Sequence, residues 1–259
     1  MAESSSIQAT ITPLPVGADA AAVIIVGGTF DPPHRAHLDL PLAVRSGWCR
    51  GAGVDESRTW LVYVPAARSP HKPAGPIASD AQRVAMLTAA LVGGARTVIW
   101  TDEIDRAPNT GESFSVVTAQ RARTTLDARP SGSATVLRWL IGADQAAAFH
   151  RWREPRRLIS LAEPIVMLRG VKASAADLDA QLAATGVWSS DELAAWSARV
   201  VPAPRLDHSA TVIRAALAAP TPDRAALARA LGHQVLAYIT REGLYGCGPR
   251  TYSGNMTPT

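Results

Sequence analysis

The segment Gly27-Gly28-Thr29-Phe30-Asp31-Pro32-Pro33-His34-Arg35-Ala36-His37 gathers residue types that handle phosphate. It follows Ala22 to Val26, a β-branched run that predicts a strand. Paired glycines let the backbone come close to a ligand at the carboxyl end of that strand, where open α/β sheets bind nucleotides. Pro32 and Pro33 keep the preceding residue extended, so a helix begins only near His34 or after it. His34 and His37 then sit three apart in or beside a first helical turn. There they can face an anion held by the helix's N–H groups and the positive end of its dipole. The string matches neither a Gly-x-Gly-x-x-Gly fingerprint nor a Walker A loop. Structural zinc needs four ligands and no Cys or His cluster nearby completes a set, so no protein-held metal is expected. Ordinary capping or core histidines are the competing explanation, and the glycines, prolines and histidines occurring together weigh against it.

Other segments could complete such a site. Ser209-Ala210-Thr211-Val212-Ile213-Arg214 opens a predicted helix with two hydroxyl residues and places a guanidinium near the end of its first turn. Hydroxyls, amide N–H groups and an arginine together make a second phosphate site. Alone, the segment would read equally as an N-cap with a surface arginine. Ile141-Gly142-Ala143-Asp144 closes a strand with a carboxylate suited to ribose hydroxyls. Phe149 is expected in the core. Ser69-Pro70-His71-Lys72 lies in the loop after the second strand, where Lys72 suits a phosphate or carboxylate contact, a solvated lysine being nearly as plain a reading.

These residues need a scaffold. Candidate strands are Ala22 to Val26, Trp60 to Val64, Thr97 to Trp100, Thr135 to Ile141 and Ile165 to Leu168, with a short one near Val200. They alternate with amphipathic stretches, the pattern of βα units around a parallel sheet. Ser79 to Val92 starts with capping-box spacing between Ser79 and Gln82 and sets Val84, Leu87 and Leu91 on one face. Further helices are expected at Ser113 to Leu126, Ala173 to Ala184, Asp191 to Arg199, Thr211 to Ala218, Asp223 to Ala230 and His233 to Arg241. Arg50 to Ser57, Pro108 to Ser113 and Arg129 to Ser133 read as loops. One domain is expected over residues 21–245, between a disordered leader (1–20) and a flexible tail (246–259).

Composition narrows the partners. Lys+Arg 26 against Asp+Glu 22 leaves a net charge of +4, which suits phosphorylated ligands and falls short of a nucleic-acid footprint. Only Lys72 and Lys172 are lysines. Four of the six histidines, His34, His37, His71 and His208, fall in or beside the proposed ligand segments. Cys49 and Cys247 are too few for a disulfide framework and point to a reducing, cytoplasmic setting. The N-terminus has no positive start of a signal peptide. Its longest apolar stretch is far shorter than the roughly 20 residues that cross a bilayer, so no membrane is expected.

From Gly27 to His37 the sequence resembles the signature of the nucleotidylyltransferase superfamily, and along Val23 to Tyr245 it is similar to the nicotinate-nucleotide adenylyltransferases. The resemblance implies a Rossmann-like open parallel sheet with helices on both faces. It implies transfer of AMP from ATP to nicotinate mononucleotide, giving deamido-NAD and pyrophosphate. His34 and His37 would be the catalytic pair on the ATP phosphates. Gly27, Gly28, Thr29 and Phe30 would line the ATP site, Gly142 and Asp144 would meet the ribose, and Ser209, Thr211 and Arg214 would hold the triphosphate end. The mononucleotide would meet Lys72, Ser113, Phe114, Ser115, Trp152 and Arg169, with Trp152 stacked on the pyridine. The chain departs from the family at Ala36 (commonly glycine), Phe114 (commonly tyrosine) and Arg153 (often aromatic). Mg²⁺ is expected, bound mainly through ATP phosphates and water, and bound phosphates are expected to favour imidazolium forms. A homo-oligomer stays open. The rival functions are adenylyl transfer to nicotinamide mononucleotide or phosphopantetheine, and a non-catalytic nucleotide-binding regulator.

Overall fold

Among the described residues, six apolar, β-branched runs pair as parallel strands: β1 (Ala22–Gly28), β2 (Thr59–Pro65), β3 (Thr97–Ile99), β4 (Val136–Gly142), β5 (Glu163–Leu168) and β6 (Val200–Pro202). Their order is β3-β2-β1-β4-β5-β6. This computed structural model describes residues 12–68, 75–110, 113–129, 134–168, 174–204, 206 and 208–247, the side chains of 108–110 excepted. His71, Lys72 and Arg169 therefore lie outside the described residues.

A strand buried on both faces reads as a continuous apolar run, and β1 is such a strand. Val23 and Ile25 point to one face with Val62, Val64, Leu137, Trp139 and Ile141. That face is covered by α4 (Ser115–Asp127), α6 (Pro155–Leu161), α7 (Ala175–Ala184) and α8 (Ser190–Ala198). Ile24 and Val26 point to the other face, where α1 (Arg35–Ala52) and α2 (Asp80–Leu91) pack. A satellite core joins α2 to α9 (Ala210–Leu217), α10 (Arg224–Leu231) and α11 (His233–Arg241) through Met86, Ile213, Leu231 and Ile239. The expected capping box is present: Ser79 Oγ accepts the Gln82 amide at 3.2 Å, and Gln82 Oε1 accepts the Ser79 amide at 2.9 Å.

From β1 the chain crosses to β2 on one side and later to β4 on the other. The carboxyl ends of β1 and β4 thus flank the switch point, where open α/β sheets leave a crevice. Gly27, Gly28 and Gly142 end those two strands.

Several expectations are corrected. Pro108 to Thr110, read as loop, belongs to the helix α3 (Asp102–Thr110), whose first turn carries Asp102, Glu103 and Asp105 against the positive end of the dipole. Arg50 to Ser57 is partly helical, because α1 runs to Ala52 and stops at left-handed Gly53. A short 3₁₀ helix then covers Glu56–Arg58. Residues 12–20, expected as leader, lie against the domain. Leu14 and Ala20 are buried, Trp100 Nε1 donates to the Thr12 carbonyl at 2.9 Å, and Arg129 binds the Val16 and Gly17 carbonyls. The folded part also reaches Cys247, which is buried rather than part of a tail. Among the described residues no helix is long and apolar enough to cross a membrane.

Candidate active site

Beyond β1 the backbone turns sharply. Phe30 adopts a left-handed φ of 50° and its ring folds back over Gly28, where a Cβ would lie 2.9 Å from Phe30 Cζ. Gly28 therefore has a packing reason to lack a side chain as well as a ligand-approach reason. His34 follows in extended conformation as the N-cap of α1, as the two prolines predict. It is 3% exposed, and its ring stacks on His37 with centroids 3.8 Å apart and planes 21° from parallel. Phe30 meets the His37 ring edge-on at 5.2 Å. The His34 backbone N–H donates to His37 Nδ1 at 3.3 Å. With Nδ1 as the acceptor, Nε2 is the ring nitrogen that would donate to a ligand in the cavity.

Asp31, given no role from the sequence, ties the site together. Its carboxylate, 5% exposed, accepts the Ile77 amide at 2.7 Å, the Ala78 amide at 3.1 Å and the Tyr245 hydroxyl at 2.6 Å. Burial, then the carboxylate beside it, pushes the Tyr245 phenol well above its ordinary value. The Asp31 carbonyl receives Arg214 Nη1 at 2.6 Å, and Arg214 Nη2 reaches Thr211 Oγ1 at 3.3 Å. Arg83, fully buried, donates to the Thr29 carbonyl at 2.7 Å and pairs with Asp80 at 2.6 Å. These bonds fix the loop between β1 and α1 from three directions.

Around that loop open two cavities. The larger, about 1000 Å³, is lined by Gly27 through Asp31, His34, Ala36, His37, His208, Ser209, Thr211 and Arg214 among others. The first motif and the Ser209 segment, far apart in sequence, thus share one site, and α9 points its N-terminus into it. Ala36 is one of the lining residues. The smaller, about 390 Å³, is lined by Glu103, Ser113, Phe114, Ser115, Trp139 and Arg151–Arg153 with the ends of β1 and β2. Trp152 stacks on buried Phe149 at 4.8 Å and 26°. Gly27, Gly28, Thr29 and Gln145 line both cavities. Gly142 and Asp144 line neither. Asp144 is exposed in the first turn of α5 (Ala143–Ala147), and Gln145 is the residue of that segment facing the cavities, its Oε1 accepting the Gly142 amide at 3.1 Å.

Glu103 also escaped the sequence reading. Burial raises its carboxyl above the usual range, opposed by hydrogen bonds from Thr118 and Ser113. The Thr118 hydroxyl donates to Oε1 at 2.8 Å. Ser113 is therefore engaged with Glu103 as well as lining the cavity. No local signal marked Asp31, Arg83 or Glu103 as part of the site, because the contacts that bring them there, to Ile77, Ala78 and Tyr245, to the Thr29 carbonyl, and to Thr118, are made across distant segments.

Residues 25–216 match the model of the cytidylyltransferase-like family. A probable nicotinate-nucleotide adenylyltransferase of Chromobacterium violaceum is 36% identical over 229 residues, covering 87% of this chain and 99% of the relative. One from Stenotrophomonas maltophilia is 34% identical over 232 residues, covering 86% and 96%. The nicotinic acid mononucleotide adenylyltransferase of Plasmodium falciparum, solved with NaAD, superposes with a TM-score of 0.56 at 14% identity, covering 87% of this chain and 97% of that one, which supports the fold. With its sheet order, its glycine-histidine loop at the switch point and these relatives, the chain belongs to the cytidylyltransferase-like family and, within it, to the nicotinate-nucleotide adenylyltransferases.

Proposed function

We propose that the protein transfers the adenylyl group of ATP to nicotinate mononucleotide, releasing pyrophosphate and forming deamido-NAD. The observation that carries this reading is the pair of cavities meeting at Gly27–Thr29 and Gln145. The larger has phosphate-binding chemistry and fits ATP; the smaller has an aromatic wall and fits the pyridine mononucleotide. Their junction is where a mononucleotide phosphate would reach the α-phosphorus in line.

The nucleophile is a phosphate already anionic at neutral pH, so no general base is needed. Positioning and stabilisation of charge supply the catalysis. In this reading His37 Nε2–H donates to the α-phosphoryl oxygen as charge builds. His34, Ser209, Thr211 and Arg214 hold the leaving pyrophosphate, and Gly27 and Gly28 let the chain pass close to the phosphates. Arg214 keeps further N–H donors beyond the two that bind Asp31 and Thr211. Trp152 provides a face for the pyridine, and the N-terminus of α4, with Phe114 at the cap and no acid in its first turn, opens on the same cavity.

Among the described residues no group of three or more His, Cys, Asp or Glu side chains assembles for a metal. Asp31, the carboxylate lining the larger cavity, is committed to two amides and a phenol. The donor set suits Mg²⁺ arriving on the triphosphate with waters in its shell. When bound it would neutralise phosphate charge, and the side chains above would orient the complex.

Label position tests the bond that breaks. With ATP labelled at the α-phosphorus, label should appear in the dinucleotide; with ATP labelled at the γ-phosphorus, in pyrophosphate. Label from the γ-phosphorus in the acceptor product would refute adenylyl transfer.

A further inference from the structure

The smaller cavity carries a charge pattern that its aromatic wall does not explain. Arg151 and Arg153 line it with Glu103, and burial draws Glu103 toward its neutral form. The lining is therefore net positive, although a pyridine ring itself asks only for apolar surface. Arg153 is the better placed of the two arginines. Its guanidinium carbon lies 4.6 Å from the centroid of the Phe114 ring, which holds the cation at the wall without consuming its N–H donors. Its ion pair with Glu154 is long, 3.8 Å, and Glu154 binds Arg157 at 2.8 Å.

Position says which part of a mononucleotide Arg153 would meet. The phosphates must converge where the two cavities join, at Gly27–Thr29 and Gln145. Arg153, Phe114 and Trp152 line the smaller cavity and are not among the residues that the two cavities share. Trp152, set by its stack on Phe149, and Arg153 are consecutive and line the same cavity, so a ring resting on the indole would share that wall with the guanidinium. A ring carboxylate there would accept from the guanidinium, whereas a carboxamide is uncharged and offers N–H donors of its own.

We propose that Arg153, carried on the Phe114 ring, is the residue that makes this site prefer a pyridine carboxylate to a pyridine carboxamide. The inference rests on the adenylyl-transfer reading and adds to it the source of acceptor specificity. Phe114 and Arg153 then act as one unit. The ring that lacks a phenol supports a cation that takes the place of an aromatic residue.

The test compares kcat and KM for nicotinate mononucleotide and nicotinamide mononucleotide in the wild type, Arg153→Ala, Arg153→Lys and Phe114→Leu. Arg153 is 57% exposed at the side chain, so the Ala variant should fold, which a melting curve checks. Expected is a fall of about tenfold in kcat/KM for the nicotinate form, through KM, the low end for a lost hydrogen bond to a charged group in a partly solvated place. The nicotinamide form should change by less than about threefold, the scale of an exposed contact. Arg153→Lys should recover part of the loss, and Phe114→Leu should move the ratio the same way by less. Equal losses with both acceptors would mean a phosphate contact, and no loss with either a solvated arginine; both overturn the proposal. Wild-type turnover of neither pyridine nucleotide would overturn the adenylyl-transfer reading, and this proposal with it.

Discussion

Tyr245→Phe isolates the bond that ties the end of the fold to the phosphate loop. The substitution removes one hydroxyl and keeps the ring, and any cost of the left-handed backbone at Tyr245, φ 56°, is common to both residues. What is lost is a short hydrogen bond, 2.6 Å, to the Asp31 carboxylate, which is 5% exposed and cannot readily recruit water in exchange. Hydrogen bonds to charged groups contribute about 1.5–3 kcal/mol. Asp31 keeps its amide bonds from Ile77 and Ala78, so the low end, about 1.5 kcal/mol, applies. For a chain of this size that is a fall in Tm of about 3–6 °C. The assay is urea and thermal unfolding of the wild type, Tyr245→Phe, Asp31→Asn and the double variant. A coupling energy of about 1 kcal/mol is expected between residues in direct contact. Additive variants, or a Tyr245→Phe protein with unchanged Tm, would refute the role of Asp31 as the tie between the loop and the C-terminal segment.

Three further outcomes follow from the same geometry. His37→Ala should lower kcat by about 10²–10³, the cost of one preorganised donor to developing charge, with little change in KM for ATP; near wild-type turnover would remove His37 from the transition state. Trp152→Ala should raise KM for the mononucleotide by about 3- to 10-fold, the scale of an aromatic stack, and an unchanged KM would count against stacking. Glu103 has a raised folded-state pKa, so its contribution to stability is present in full below its ordinary value of 4.5 and is lost as pH rises through the folded value. Glu103→Gln should therefore gain stability relative to the wild type as pH climbs from 4.5 to neutrality, and a Tm difference independent of pH would contradict this.

The strands were legible because burial on both faces leaves unbroken β-branched runs, as in Ala22 to Val26. The helix at Asp80–Leu91 was legible because its capping box is written in neighbouring residues. α3 was not, since Pro108 and Asn109 read as loop and its stabilising acids give no apolar stripe. The packing of residues 12–20 hangs on Leu14 and on bonds to Trp100 and Arg129, far along the chain. The site divides the same way. Gly27 to His37 and Ser209 to Arg214 stand out because their chemistry is packed into a few consecutive positions. Asp31 with Tyr245, Arg83 with Thr29 and Arg153 over Phe114 depend on pairs that only the fold brings together, 214 residues apart in the first case and 54 in the second. Gly28 was read for ligand approach alone, and the Phe30 ring supplies the second reason.

Pyrophosphate release from ATP and Mg²⁺, measured in parallel with nicotinate mononucleotide, nicotinamide mononucleotide and phosphopantetheine as acceptors, tests the central claim most directly. Release should be fastest with nicotinate mononucleotide and should be matched mole for mole by deamido-NAD. Release only with phosphopantetheine, or with none of the three, would contradict it.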